Sequence, residues 1–397
     1  MKPITDDPIV FVSAARTPMG NLQGEISSLT APELGAAAIR AALVRAGTKS
    51  EMVDEVVFGC VLPAGQGQAP ARQAALGAGL SLSAGCTTIN KMCGSGMRAV
   101  MTAHDSLAVG AAQIMVAGGM ESMSQAPYLV MKGRGGYRLG HSTLYDHMML
   151  DGLEDAYEKG RSMGTFGEDC ARDYGFTRAM QDDFAIASVL RAQEATHSGH
   201  FAHEITPIDI QSRKGTTTVS TDEGPRAIKL EKIPELKPAF AKDGTVTAAS
   251  SSSISDGAAA LVMTRLSIAE KLGLRPMARM VGHSTYAAAP PKFPTAPIGA
   301  IRRLLEANAW SVSDVDLWEV NEAFAVVAMS AMKDLGIGHD RMNIHGGACA
   351  LGHPIGASGA RILVTLLHAL KHSGARRGLA SLCIGGGEAT AVGIEMF

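Results

Sequence analysis

The sequence predicts an α/β protein whose sheets are covered by helices on both faces. Short β-rich runs alternate with Ala-rich helical stretches, which is the pattern of this fold class. Several strand candidates are too apolar for a sheet with one face in water, so we expect both faces to be buried. The strand candidates are residues 9–12, 55–58, 114–116, 317–320 and 379–383.

The same order of parts occurs twice along the chain, which predicts two similar halves. In the first half, VDEVVFGC is followed by the glycine turn CGSG, a helical stretch over residues 97–107 and a strand that ends in AGGMES. In the second half, VDLWEVNE is followed by GHPIGASG, a helical stretch over residues 360–372 and a strand that ends in CIGGGE. Few residues are identical between the halves, so a chance likeness of two ordinary α/β units is the alternative.

The region between the two repeats differs in composition and predicts an inserted loop domain. It contains Gly-rich, charged stretches such as MKGRGGYRLGHS and SRKGTTTVSTDEGPR. The predicted organisation is an N-terminal half over residues 1–120, completed by about 251–275, then a loop domain over 121–250 and a C-terminal half over 276–397. A chain of 397 residues is long enough to bury such a core.

Composition and charge exclude several classes of partner. The chain has 36 Lys and Arg against 38 Asp and Glu, and the charges are scattered, so no basic stripe predicts binding to nucleic acid or to a membrane surface. No apolar stretch reaches the roughly 18 residues that a membrane span needs. The first residues, MKPITDDPIVFVSAARTP, lack the apolar core of a signal peptide, so we expect a cytoplasmic protein with six free cysteines. The expected partner is a small molecule.

The first candidate for catalysis is Cys93, in the run NKMCGSG, which opens the first predicted helical stretch. A cysteine at a helix N-terminus faces unpaired N–H groups and the positive end of the helix dipole, which predicts a stabilised thiolate and hence a nucleophile. The flanking glycines would let a substrate carbonyl approach the Cys93 amide. The alternative is a buried cysteine in a tight glycine turn.

Three further loops carry candidate residues. His353 in GHPIG suits a general base for a thiol, although a structural histidine beside a glycine turn is the alternative. Cys383 in CIGGGE ends an apolar strand and is a candidate to shuttle a proton, beside glycine amides that are free to bind a carbonyl oxygen; the alternative is a strand cysteine before a turn. Asn321 in NEAF is placed to hold a water or a carbonyl, unless it is only the N-cap of a helix.

Taken together and in this order, CGSG, NEAF, GHPIGASGAR and CIGGG resemble the catalytic loops of the thiolase family. The resemblance runs the whole length of the chain, through RTP at Arg16, GGMESMS at Gly118, and GTVTA with DGAAAL on either side of the run SSSSIS. Within the family, FGCVLPAGQGQAPARQAALGAG and CTTINKMC resemble the acetoacetyl-CoA thiolases of the mitochondrial type. The resemblance implies a five-layer αβαβα fold, with two similar halves and a loop domain over the active site.

The resemblance also implies an acyltransferase that uses coenzyme A to cleave 3-ketoacyl-CoA and, in reverse, condenses acyl-CoA with acetyl-CoA. Cys93 would take the acyl group, and His353 would activate Cys93 and help to bind the thioester oxygen. Cys383 would move the proton at the substrate α-carbon. Asn321 would position a water in one oxyanion hole, and the amides of Cys93 and Gly385 would form the other.

Other positions match the family's contacts with coenzyme A and with partner chains. The segment MKGRGGYRLGHSTLYDHMM matches the tetramerisation loop, which implies a homotetramer built as a dimer of dimers. No metal or redox cofactor is expected, since the sequence has no CxxC pair and no GxGxxG. The run of serines 250–253 would otherwise be a solvated linker. The implied contact residues are Leu153, Met163, Phe240, Ala248 and Ser252, together with Phe324.

Departures from the family pattern leave the substrate and the potassium dependence open. Ser162-Met163-Gly164 stands where short-chain thiolases carry His-Met-Gly, and Pro225 stands where the mitochondrial type carries a potassium-binding tyrosine. A broader-chain 3-ketoacyl-CoA thiolase of fatty-acid β-oxidation is therefore an alternative, as is a catalytically silent acyl-CoA binder. A ketoacyl synthase or hydroxymethylglutaryl-CoA synthase would share the nucleophile, but those enzymes lack the second cysteine that Cys383 provides.

Overall fold

The computed structural model describes residues 7–213 and 215–397, and this part of the chain contains fourteen β-strands and eleven α-helices. Residues 1–6 of the predicted N-terminal half and Lys214 of the predicted loop domain lie outside the described residues. The strands are β1 (Ile9–Arg16), β2 (Gly20–Asn21), β3 (Glu55–Gly59), β4 (Gly85–Ile89), β5 (Ile114–Ser122), β6 (Tyr128–Val130), β7 (Leu144–Asp146), β8 (Ile208–Ser212), β9 (Gly215–Val219), β10 (Ser255–Arg265), β11 (Ala278–Ala287), β12 (Leu317–Val320), β13 (Arg377–Ile384) and β14 (Glu388–Met396). The helices are α1 (Ala31–Ala46), α2 (Pro70–Gly77), α3 (Ser95–Ala108), α4 (Met163–Tyr174), α5 (Arg178–His197), α6 (Glu223–Ala227), α7 (Leu266–Leu272), α8 (Ala296–Ala307), α9 (Ala325–Leu335), α10 (Ala348–Leu351) and α11 (Ser358–Ser373).

The sheet shows the predicted repeat. From its centre outwards, the first half runs β1, β10, β5, β3 and β4, and the second half runs β11, β14, β13 and β12. In both halves the inner pairs are antiparallel, whereas β5, β3 and β4, like β13 and β12, pair in parallel. The halves meet where β1 pairs with β11 at two positions, Val10 with Arg279 and Phe11 with Ala278. The prediction of two similar halves is therefore confirmed.

The two halves of the sheet alternate with three layers of helices, which gives the five layers that the resemblance implied. Helices α3 and α11 pack against each other, and their apolar faces share one buried core with both halves of the sheet. Helix α1 covers the outer face of the first half, and helices α8 and α9 cover the outer face of the second. Helix α11 illustrates why these segments form helices. Its buried leucines recur at helical spacing. It ends at Gly374, whose φ of 66° is the left-handed conformation that glycine favours.

All five predicted strands are present, but only β12 has the predicted bounds, and β1 and β5 extend furthest beyond theirs. Strand β5 spans nine residues instead of the three at 114–116, since it continues through Gly118 and Gly119. A Cβ atom at Gly118 would lie 2.1 Å from the carbonyl oxygen of Ala259, so this strand needs glycine where a sequence pattern suggests a break. Strand β10 follows the predicted loop domain and lies between β1 and β5. The domain boundaries themselves stay a prediction.

A buried ion cluster holds the intervening segment onto the first half of the sheet. The guanidinium of Arg16, at the end of β1, donates to Glu204 at 2.5 Å and to both carboxylate oxygens of Asp222 at 2.7 and 2.8 Å. Asp222 also accepts the Met19 amide at 2.8 Å. Removing one partner from such a buried cluster typically costs about 3–5 kcal/mol, because the remaining charge loses its compensation. Arg16 therefore ties Glu204 and Asp222 to the sheet.

All six cysteines carry free thiols, as expected. Among the described residues, no helix combines the length and the apolar character that crossing a membrane requires.

Candidate active site

Cys93 lies in a tight turn immediately before α3. Met92, the preceding residue, has a φ of 48°, a left-handed conformation that is uncommon outside glycine and often occurs at functional sites. The hydroxyl of Ser95 fixes the turn, because it accepts the Lys91 amide at 2.8 Å and donates to the Met92 carbonyl at 2.6 Å. Helix α3 begins at Ser95, so Cys93 stands two residues outside the helix.

Two backbone amides lie close enough to the sulfur of Cys93 to lower the pKa of its thiol. One is its own N–H and the other belongs to Gly385, so the CGSG and CIGGG loops meet at this atom. Burial nevertheless raises the pKa of the Cys93 thiol to about 11, which outweighs the lowering by the two amides. The raised pKa favours a thiol in the resting site over the thiolate that the helix N-terminus alone predicts, so Cys93 would need a base.

His353 is buried in the loop between α10 and α11 and is the candidate for that base. Its Nδ1 lies 2.5 Å from the hydroxyl of Ser358, and this hydroxyl donates to the Pro354 carbonyl at 3.0 Å. When the single Ser358 proton is donated to Pro354, Nδ1 carries the imidazole proton and Nε2 has a free lone pair, which is the tautomer that a base requires. Nε2 is buried and has no hydrogen-bond partner among the described residues. Burial, with Arg361 nearby, lowers the pKa of His353 to about 3, so the ring is neutral.

Cys383 is the second thiol of the site. It lies at the end of β13, is 1% exposed, and is followed by the glycine turn that leads to β14. Burial and the neighbouring Cys93 raise the pKa of Cys383 well above its ordinary value. A Cβ at Gly94 would lie 2.3 Å from Ile384, which shows how closely the two cysteine loops pack. Cys383 is therefore a protonated group beside the nucleophile.

Asn321 presents an unpaired amide in the same region. Its main-chain N–H donates to the Ser381 carbonyl at 3.0 Å, two residues before Cys383. Both side-chain atoms, Oδ1 and Nδ2, are buried without a hydrogen-bond partner among the described residues. Buried amides are normally satisfied, so this pair indicates a polar ligand such as a water. The N-cap alternative is wrong, because α9 begins at Ala325 and Phe324 occupies its N-cap position.

The residue after Asn321 holds this loop in place. The buried carboxylate of Glu322 accepts hydrogen bonds from the Ser188 hydroxyl at 2.7 Å, the Asn343 side-chain amide at 2.8 Å and the Cys349 main-chain amide at 3.0 Å. Three donors from three segments fix the orientation of the strand end that carries Asn321.

Apolar side chains form the wall beside the two cysteines. Phe240 and Phe324 meet edge to face with ring centroids 5.8 Å apart, and both pack in the core cluster that contains Cys383 and contacts Met163. Leu153 packs against a smaller cluster, which Cys93 also contacts. Met163, Phe240 and Phe324 therefore share a core cluster with Cys383, and Leu153 and Cys93 pack against a second one.

The serine run belongs to the site, so the linker alternative is wrong. Ser250 and Ser251 are buried, and the amide and hydroxyl of Ser252 both donate to the Ala323 carbonyl at 3.0 Å. The Ser253 carbonyl accepts the His353 amide at 3.0 Å, so this turn joins the Asn321 loop to the His353 loop. Ala248 is exposed at the start of the turn, and no described contact brings it to the cysteines.

Sequence reasoning missed two supporting residues, Ser358 and Glu121. The buried Glu121 carboxylate accepts the amides of Val61, Leu62 and Gly356 at 2.8–3.1 Å and so joins the His353 loop to the end of β3. Burial raises the pKa of Glu121 to about 7 despite these hydrogen bonds. A single acidic residue at the end of an apolar strand was the available signal for Glu121. Ser358 had none beyond its place five residues after His353.

We expect alkylation of Cys93 by iodoacetamide to accelerate with pH. Because its pKa is raised above the ordinary value for cysteine, the thiolate fraction at neutral pH is small and should increase about tenfold per pH unit up to at least about pH 9.5. The measurement is the rate of carbamidomethylation of the Cys93 peptide by mass spectrometry. A rate that levels off below about pH 8 would show a depressed pKa and contradict the neutral-thiol description.

Known proteins resemble this chain along its whole length. Residues 9–267 match the family described as thiolase, N-terminal domain, and residues 274–396 match thiolase, C-terminal domain. The chain is 48% identical over 389 residues to an acetyl-CoA acetyltransferase of Cupriavidus necator, covering 98% of this chain and 99% of that one. It is also 48% identical to acetyl-CoA acetyltransferase 1 of Arabidopsis thaliana, over 99% of this chain and 96% of the other.

A solved structure gives the same result for the fold. The Acat5 thiolase from Ascaris suum, in complex with coenzyme A, matches with a TM-score of 0.93 and 39% sequence identity, over 98% of this chain and 100% of that chain. The family models, the two relatives and the solved structure indicate the same family as the four catalytic loops. This chain belongs to the thiolase family.

Proposed function

We propose that this protein is an acetyl-CoA C-acetyltransferase that cleaves acetoacetyl-CoA with coenzyme A and, in reverse, condenses two molecules of acetyl-CoA. The observation that carries the proposal is the arrangement at Cys93: the Gly385 amide acts on its thiol, and the Cys383 thiol is near enough for Cys93 to raise the pKa of Cys383. The matching relatives carry the name acetyl-CoA acetyltransferase, which favours acetoacetyl-CoA over longer-chain substrates and over a silent binder.

In the first half-reaction, cleavage begins with activation of the nucleophile. His353 Nε2 takes the proton of the Cys93 thiol, and the thiolate attacks the 3-keto carbon of the substrate. The bond between C2 and C3 breaks, and the Cys383 thiol gives its proton to C2, which releases acetyl-CoA. The acyl group remains on Cys93 as a thioester, which keeps the energy of the substrate thioester.

In the second half-reaction, the acyl group passes to coenzyme A. The Cys383 thiolate takes the proton of the incoming thiol, whose sulfur attacks the acyl carbonyl. Cys93 leaves and regains its proton from the His353 imidazolium, so all protons and both cysteines return to their starting state. No step requires a metal or a redox cofactor, and coenzyme A acts as a substrate.

Two oxyanion holes stabilise the charge that develops in these steps. The amides of Cys93 and Gly385, which act on the Cys93 thiol, would receive the oxygen of the tetrahedral intermediate. The unpaired amide of Asn321, through a water, and Nε2 of His353 serve the thioester oxygen of the enolate. A well-placed donor is typically worth about 3–4 kcal/mol of transition-state stabilisation.

Coenzyme A would reach the cysteines along the wall described above. Met163, Phe240 and Phe324 offer apolar surface to the pantetheine arm, and Leu153 lies on the Cys93 side. Ser252 and Ala248 stand on the serine turn, where the arm would enter. The solved Ascaris suum relative holds coenzyme A, which supports this class of ligand.

Loss of thiolysis in Cys93→Ala tests the proposal. We expect the kcat for acetoacetyl-CoA cleavage to fall by at least about 10³-fold, because no other thiol is placed to carry the acyl group. Free coenzyme A and acetoacetyl-CoA are mixed with enzyme, and loss of the 3-ketoacyl-CoA absorbance is followed.

Cys86→Ala is the matched control, since Cys86 lies on β4 outside the site, and we expect its kcat to stay within about threefold of wild type. Wild-type protein that cleaves neither acetoacetyl-CoA nor its 2-methyl and longer-chain analogues would contradict the proposal and favour a silent acyl-CoA binder.

The proposed assembly is a homotetramer built as a dimer of dimers. The hairpin of β6 and β7 carries an unusual number of exposed apolar side chains, among them Tyr128, Val130 and Leu144 at 53–65% exposure and Leu139 at 100%. Within residues 7–213 and 215–397, strand β4 pairs on one side only, and its other edge is of the kind that joins with a second strand. These two surfaces suit two different contacts between copies of the chain. A cytoplasmic location, in keeping with six free thiols, belongs to the same proposal.

Light scattering tests the assembly. Wild-type protein at micromolar concentration should have four times the 41.3 kDa mass of the chain, and Leu139→Asp should reduce this to a dimer because it places a charge in the hairpin contact. Val44→Asp, at a valine 75% exposed on α1, is the matched control and should remain a tetramer. A monomeric wild-type protein would rule out the assembly.

A further inference from the structure

A histidine–aspartate–histidine cluster lies far from the cysteines. His104 and Asp105 belong to the last part of α3, and His283 lies on β11, 178 residues further along the chain than Asp105. Helix α3 starts beside Cys93, so the cluster lies about 14 Å along the helix axis from its beginning. None of the three residues has a part in the acyl transfer proposed above.

The three side chains converge on one point. Asp105 Oδ1 lies 3.0 Å from His104 Nδ1 and 2.8 Å from His283 Nε2, and all three potential ligand atoms lie within 4.8 Å of one another. The two rings meet edge to face with centroids 5.2 Å apart. Ligands of a tetrahedral zinc ion at its usual bond lengths of about 2.0–2.2 Å are about 3.3 Å apart, so small rotations would bring the cluster to that geometry.

Burial and charge also suit a bound cation. The imidazoles are 20–21% exposed and the carboxylate is 55% exposed, so the rings are held in place while the carboxylate side stays open to water. Partial burial acts to raise the pKa of Asp105, but hydrogen bonds from His104 and His283 hold it well below its usual range. Among residues 7–213 and 215–397, the two imidazoles are the only ion-pair partners of Asp105. A divalent cation would therefore have no Lys or Arg to displace.

We propose that His104, Asp105 and His283 form a binding site for Zn²⁺, with water completing its coordination. Two imidazole nitrogens and one carboxylate oxygen are donors that favour Zn²⁺ over Mg²⁺ and Ca²⁺, which prefer all-oxygen sites. On binding, the ring protons at His104 Nδ1 and His283 Nε2 move to the opposite nitrogens or to solvent, and the lone pairs bind the metal. The ion would join a helix of the first half to a strand of the second half.

Titration of the purified full-length protein with Zn²⁺ alone tests the proposal. We expect one ion per chain at this site, with an affinity at least about tenfold weaker in His283→Gln and again in His104→Gln, because each loses a ligand. The binding should be measured by isothermal calorimetry, with a rise in melting temperature of the wild type on adding Zn²⁺. Mg²⁺ should produce neither signal.

Three controls make the result specific. His197→Gln, at an exposed histidine of α5 outside the cluster, should bind Zn²⁺ like wild type. Cys93→Ala should also retain the site, which separates it from capture of the ion by the active-site thiol. Unaltered thiolysis in His283→Gln and His104→Gln would show that both variants fold. Wild type without a Zn²⁺ site, or an affinity unchanged by both histidine substitutions, would overturn the proposal.

Discussion

The N-terminal ends of the two central helices touch backbone to backbone, and the active site depends on this contact. A Cβ at Gly96 of α3 would lie 2.8 Å from the Ala360 amide nitrogen, and a Cβ at Gly359 of α11 would lie 2.4 Å from the Met97 amide nitrogen. Real Cβ atoms do not approach so closely, so both positions require glycine. Because Cys93 precedes one helix and His353 precedes the other, the close approach of the helices is what brings the two loops together.

Burial then sets the protonation of the site. Enclosure by four loops raises the pKa of both thiols and lowers that of His353, so the resting groups are neutral. Because the resting groups are neutral, the empty site carries no desolvation penalty for a buried charge. Charge forms only when substrate is in place to be attacked. The donors that would receive this charge are already oriented: the Gly385 amide is fixed by its turn, and His353 is fixed through Ser358. This order of events suits a reaction that runs in both directions.

The sequence could predict the parts of the structure that repeat a local pattern. The five strands, the helices at 97–107 and 360–372, and the four loops were visible because periodicity and glycine turns are properties of neighbouring residues. The protonation state of Cys93 could not be predicted in the same way. The helix N-terminus lowers the pKa of the thiol through local dipoles, but burial by the Gly385 and His353 loops, which are distant in the sequence, raises it more. Nor could spacing reveal the cluster of Asp105 with His283, since the fold alone brings those segments together. Strand β5 was underestimated because close packing there demands glycine.

Trapping the covalent intermediate would test whether Cys93 is the residue that carries the acyl group. The protein would be mixed with acetyl-CoA, quenched in acid, digested and analysed by mass spectrometry. We expect an acetyl group on the Cys93 peptide and none on the Cys383 peptide, because the amides of Cys93 and Gly385 act on the Cys93 thiol and His353 is the candidate base for it. An acetyl group on Cys383, or no acetylated cysteine at all, would contradict it.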